Sequence, residues 1–119
     1  MAGDGMRKVF DLIGIARRAG KATSGTMAVQ KSLSRGQARL LIISEDVSLN
    51  TRKVLLKASQ KHQVPYVILG NSQELGQSIG KPLRVALTID DSGLAGAIVK
   101  AVKSVDTEAK TTGVVQWPK

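Results

Sequence analysis

The chain has 119 residues, 42% of them hydrophobic, which suits one buried core rather than two. Lys and Arg number 18 against 9 Asp and Glu, giving a net charge of +9 and a pI near 10.3, so a polyanionic partner is expected, nucleic acid before a membrane surface. The absence of cysteine excludes disulfides and thiolate metal sites, no apolar run approaches ~18 residues, and residues 1–6 lack the apolar stretch of a signal peptide.

Residues 1–6 are expected to be a flexible start. A helix is predicted from Arg7 to about Ala19, because Val9, Leu12, Ile13 and Ala16 recur at helical spacing and Gly20 is a natural stop. Residues 22–24 form a short extended link. The next helix starts near Gly25, with Ser24 expected to cap it through its hydroxyl, and ends at Gly36. Ala28, Val29, Ser32, Leu33 and Gly36 share one small or apolar side suited to packing. Met27, Gln30, Lys31 and Ser34 share the other, at the spacing of one exposed face. The free N–H groups of a helix start are a ready anion site.

The run Leu40-Leu41-Ile42-Ile43 reads as a buried strand. Ser48 or Asn50 then caps a helix running to about His62, with Val54, Leu55 and Ala58 inward. Lys53, Lys57 and Lys61 make an outward stripe, read as a solvated face. Residues 64–69 form a second strand, with Pro65 at its start, where a missing N–H is tolerated. Ser72 is expected to cap a short helix carrying Leu75 and Ile79 and stopped by Gly80. Residues 81–84 make a tight basic loop, residues 84–89 a strand, and Asp90-Asp91-Ser92 a cap for a helix with Leu94, Ala95, Ile98, Val99 and Val102 buried. Past Ser104 the periodicity fails. Residues 7–103 are therefore expected as the domain and residues 104–119 as a loose tail that includes Trp117. The alternation of helices and buried strands implies an α/β protein, a three-layer α/β/α sandwich around a four-stranded mixed sheet.

Little in the chain suits catalysis. Neither Gly-rich nucleotide fingerprint is present, and His62, the only histidine, has no second His or Cys to complete a metal site. Glu45-Asp46 and Asp90-Asp91 follow strands, where α/β sheets place their sites and where carboxylates can hold magnesium. Each pair also precedes a helix, and capping or offsetting its dipole is the simpler role. No cofactor and no metal are expected. Aromatics are only 3%, Phe10, Tyr66 and Trp117, too few for the stacking platform of a single-strand binder.

The run Ser24-Gly25-Thr26 with Lys31-Ser32-Leu33-Ser34-Arg35-Gly36, then residues 38–46, Val64-Pro65-Tyr66-Val67, and Leu75-Gly76 through Gly80-Lys81 to Arg84-Val85, resembles the kink-turn-binding ribosomal proteins. This is the superfamily of archaeal L-seven-Ae and eukaryotic L-thirty-e, and the chain is most similar to its bacterial YlxQ-type branch. The resemblance spans about residues 7–103. It implies an α/β/α domain that binds bent, structured RNA without catalysis: ribosomal or other kink-turn RNA, with the ribosome as a further partner. The protein is then a cytoplasmic monomer without membrane contact. It also implies two gripping loops. One is Ser24, Gly25 and Thr26 with Met27, Gln30 and Lys31; the other is Lys81, Pro82, Leu83 and Arg84. Lys31 matches a helix lysine that reaches guanine edges. Where archaeal members carry Asn-Glu to read sheared G·A pairs, this chain has Met27 and Ala28, which lack those hydrogen-bonding groups. An accessory role beside an RNA ribose methyltransferase is the alternative. A protein–protein adaptor fits the basic charge less well.

Overall fold

The computed structural model describes residues 2–109 and 115–116. The elements in chain order are α1 (Ala2–Arg18), β1 (Ala22–Ser24), α2 (Thr26–Ser34), β2 (Leu40–Ile43), α3 (Leu49–Lys61), β3 (Tyr66–Ile68), α4 (Ser72–Ser78), β4 (Ala86–Ile89), α5 (Ser92–Ala109) and β5 (Val115–Gln116). The strands lie in the order β1-β4-β2-β3-β5. Only β2 and β3 are parallel; β1 with β4, β4 with β2 and β5 with β3 are antiparallel. The sheet is therefore mixed, as its sequence implied.

Every residue of β2 and β4 is buried, because both faces of these central strands are covered. Leu40, Ile42, Val67, Leu87 and Ile89 face a core built with Val9 and Ile13 of α1, Leu75 of α4 and Ile98 of α5. Leu41, Ile43 and Ala86 face the other side, against Val29 and Leu33 of α2 and Leu55 of α3. The result is a three-layer sandwich with α1, α4 and α5 on one face and α2 and α3 on the other.

The ends of the chain differ from expectation. Helix α1 begins at Ala2 rather than Arg7, so the expected flexible start joins it; half-buried Met6 packs on the core one turn before Val9. Helix α5 runs to Ala109 rather than breaking at Ser104. Val105, 3% exposed, continues the stripe one turn past Val102. The expected loose tail also supplies β5, a two-residue strand along the outer edge of β3, which covers backbone groups that an edge otherwise leaves unpaired. Trp117 lies outside the described residues.

Several local assignments also move. Ser48 caps α3, accepting from Thr51 N–H at 3.2 Å. Helix α4 is capped by Asn71, not Ser72, in a reciprocal capping box with Glu74. Val54 is 48% exposed rather than inward, leaving Leu55 as the buried anchor of that turn. Because the two central strands are closed on both faces, a hole there cannot refill from solvent. Ile42→Ala is expected to lower unfolding free energy by about 2–5 kcal/mol, read from a denaturant midpoint shift at constant slope.

Candidate nucleic-acid interface

The pairing of β1 with β4 decides which loops meet. Ser24 is opposite Leu87, so the chain leaving β1 stands beside the chain entering β4. Gly25 N–H donates to Ala86 O at 3.2 Å, and Arg84 Nε donates to Ser24 Oγ at 3.2 Å. The two sequence-predicted loops are thus joined side by side. The C-terminal ends of β2 and β3 lie at this same end of the sheet, where Glu45 N–H donates to Gly70 O.

Gly25, not Ser24, is the N-cap of α2, and no side chain caps it. The hydroxyl that was expected to cap the helix instead receives Arg84. Gly25 sits at φ 95°, ψ 142°, a conformation that strains any residue with a Cβ. Its own N–H is committed to Ala86. The first helical bond runs from Val29 N–H to Gly25 O at 2.8 Å. The N–H groups of Thr26, Met27 and Ala28 precede it, and these are the donors the helix start offers to an anion.

The exposed face of α2 carries Met27, 78% exposed, with Lys31, Ser34 and Arg35. Among the described residues, the Lys31 side chain makes no hydrogen bond or ion pair. Gln30 is half-buried at the border of that face. Val29, Ser32 and Leu33 pack inward as expected, whereas Ala28 and Gly36 are exposed, so the packing side is narrower than the sequence implied.

The second loop is held from beneath. Lys81 N–H donates to Gly76 O at 2.8 Å, and Arg84 N–H donates to Ser72 O at 3.0 Å. Gly76 is buried, and a methyl group added there would collide with the Pro82 carbonyl. The loop therefore lies directly on α4. Lys81, Pro82 and Leu83 stand exposed on it, Leu83 at 60%. Arg84 is half-buried and also donates through Nη1 to Leu83 O at 2.7 Å.

Two carboxylates fix this geometry, and neither acts as its sequence position suggested. Asp46 accepts from Ser72 N–H at 2.9 Å and Ser72 Oγ at 2.7 Å, so it offsets the start of α4 rather than of the helix that follows it. The bond from the Ser72 hydroxyl holds its carboxyl below the ordinary value of 3.8. Asp90 accepts from Thr23 Oγ1 at 2.6 Å, Ser32 Oγ at 2.8 Å and Thr88 Oγ1 at 3.0 Å, binding β1, α2 and β4 together. Asp91 alone of that pair caps α5, accepting from Leu94 N–H at 2.9 Å. Among the described residues, no group of three or more His, Asp and Glu side chains is placed to hold a metal ion. Nothing in the expected elements pointed to Gly76 or the Asp46–Ser72 bond as supports. The available signal was a glycine inside a helical pattern, which costs about 1 kcal/mol and calls for a packing reason.

This layered α/β/α domain, with two loops adjoining at one end of the sheet, has relatives of known family. Residues 7–99 match the Ribosomal protein L7Ae/L30e/S12e/Gadd45 family, and the chain belongs to it. It is 37% identical to the RNA-binding protein YlxQ of Bacillus subtilis over 90 residues, covering 76% of this chain and 90% of that one. It is 33% identical to the large ribosomal subunit protein eL8 of Thermoplasma volcanium over 110 residues, covering 90% and 89%. A solved structure of a protein with unknown function from Bacillus halodurans superposes with a TM-score of 0.78 at 34% identity, covering 81% of this chain and 97% of that one.

The Asp46–Ser72 bond gives a test by pH. A carboxyl held low in the folded state contributes stability above its unfolded value, and that contribution is lost as pH falls through the folded value. Asp46→Asn is therefore expected to flatten the acid limb of a stability–pH curve below about pH 4, measured by thermal melts, and to leave the curve near pH 7 parallel to the parent's.

Proposed function

We propose that this protein binds structured RNA of the kink-turn kind, as a non-enzymatic, ribosome-associated protein of the cytoplasm. The observation that carries the reading is the junction of the two loops through Arg84 and Ser24, beside the unpaired N–H groups of α2. That junction makes one continuous surface from residues that are 60 apart in the chain. Family membership supplies the RNA, since the relatives named above are an RNA-binding and a ribosomal protein.

In this reading the N–H groups of Thr26, Met27 and Ala28 receive phosphate oxygens at the positive end of α2. Gly25 keeps the approach clear of a side chain. Lys31 reaches a base edge from one turn further along, with Gln30 beside it. Met27 and Leu83 rest against a base or sugar, where apolar contact replaces the hydrogen bonds of an Asn-Glu pair. Lys81 and Arg84 hold the second strand of the bend by charge, and Pro82 keeps their loop stiff.

Three outcomes follow. Neutralising about three to five phosphates gives a slope of log affinity against log salt of roughly −3 to −4, read by titration at several salt concentrations; a flat line would sink the electrostatic basis. Lys31→Ala is expected to weaken binding by about 1–3 kcal/mol and to relax discrimination between a kink-turn and the same RNA with its G·A pairs replaced. Equal loss on both RNAs would reassign Lys31 to phosphate. Met27→Asn with Ala28→Glu is expected to widen that discrimination, since both positions are exposed on α2 and Glu suits a helix start. An unchanged ratio for the double variant would show that this helix start does not face the G·A pairs.

A further inference from the structure

The end of the sheet opposite the two loops carries charge that the proposed docking leaves unused. Antiparallel pairing puts Ser24 toward the loop end and Ala22, opposite Ile89, toward the far one. There, Asp90 N–H donates to Lys21 O at 2.7 Å and Arg39 N–H donates to Ile89 O at 2.7 Å. The turns after α1 and α2 converge on the same place at Gly20 and Gly36, both in the left-handed region at φ 72° and 73°. Between them lies a cleft of ≈ 450 Å³, with Lys21, Gln37, Arg39 and Asp90 in its wall.

The sign of this cleft is decided by magnitudes. Helices α1 and α2 both end here, and each C-terminus contributes about half a negative charge. Asp90 contributes one more, although its two oxygens are occupied by the hydroxyls of Thr23, Ser32 and Thr88. Against these stand Lys21 and Arg39 in the wall, with Arg17 in the last turn of α1 and Arg35 at the C-cap of α2, all exposed. In the cleft wall itself two cations face a single carboxylate, and the exposed arginines at the two helix ends offset the dipoles there. Arg39 is also held in place: Nη1 donates to Gly36 O at 2.8 Å. That leaves most of the guanidinium's five N–H donors for an anion.

We propose that this cleft is a second phosphate site, which holds a duplex arm of the RNA whose bend sits at the loop end; it rests on the reading of that end given above. Helix α2 joins the two places. Its nine residues span about 13 Å, and its exposed face carries Lys31 and Arg35 between them. A duplex carries a charge about every 2 Å of its axis, so an arm lying along α2 brings several phosphates past these cations and into the cleft.

The test uses the full chain and two kink-turn RNAs, one with long arms and one cut back to the pairs beside the bend. Lys21→Ala with Arg39→Ala is expected to weaken the long-arm complex roughly tenfold and to shrink its salt slope by about 1–2, with the short RNA unaffected. Gln37→Glu adds a negative charge while keeping the backbone bond from Gln37 N–H to Ser32 O, and it should weaken only the long-arm complex, about threefold. Unchanged long-arm affinity and slope in both variants would overturn the proposal, as would equal loss on both RNAs. If the cleft variants weaken long-arm binding while Lys31→Ala and Lys81→Ala with Arg84→Ala do not, the loop reading falls and the cleft stands as a phosphate site in its own right.

Discussion

The pairing of a three-residue strand with β4 is the constraint on which the rest of this structure depends. Strand β1 is short, at the sheet's edge and only half-buried, so its own apolar burial is a weak anchor. Asp90 supplies what burial does not. Its carboxylate gathers hydroxyls from β1, α2 and β4, two of them, Ser32 and Thr88, from residues that are almost wholly buried. Buried hydroxyls without a partner are costly, so three satisfied at one acceptor specify one arrangement of these elements and penalise others. Once β1 is held in this register, Ser24 meets Arg84 at one end, and Lys21 and Arg39 line one cleft at the other. Both proposed contact regions are consequences of that one alignment.

The layered fold was legible because its signals are large and local. Apolar runs at residues 40–43 and 64–69 exceed anything a helix face would show, and the helical stripes of α1 and α5 repeat over several turns. The family pattern pointed to two loops far apart in the chain, and the sheet pairing brings those two segments side by side. What the sequence could not disclose was which polar group each side chain chooses. Ser24 and Ser72 both read as helix caps by position, yet Ser24 accepts from an arginine 60 residues away and Ser72 donates to Asp46 across 26. Local propensity is blind to such partners, because they are created by the sheet pairing and not by spacing in the chain. The extra turns at the start of α1 and the end of α5 escape notice for a related reason. Gly3 and Gly5 weaken the local helical signal at one end, and Val105 is a single apolar residue in a polar run at the other.

The support beneath the second loop works differently from that beneath the first. Helix α4 has only seven residues, too short to be stable alone, and it is capped at its start by Asn71 and Glu74 and tied to β2's trailing turn by Asp46. The loop then lies on Gly76, a residue that is needed there for what it lacks. Each loop thus rests on an element whose position is set elsewhere in the sheet, and a change well away from either loop can move it.

One detail at the head of α2 governs time as well as geometry. The Gly25 N–H is spent on Ala86 O, so the helix start is fastened to the sheet before any anion arrives. In the proposed docking, a helix start already in its final shape pays little ordering entropy on association. The encounter rate proposed for it is then set by charge and diffusion, and differences between targets are expressed in how long each one stays. A fastened helix start of this kind would suit quick sampling of polyanions, with selection through residence.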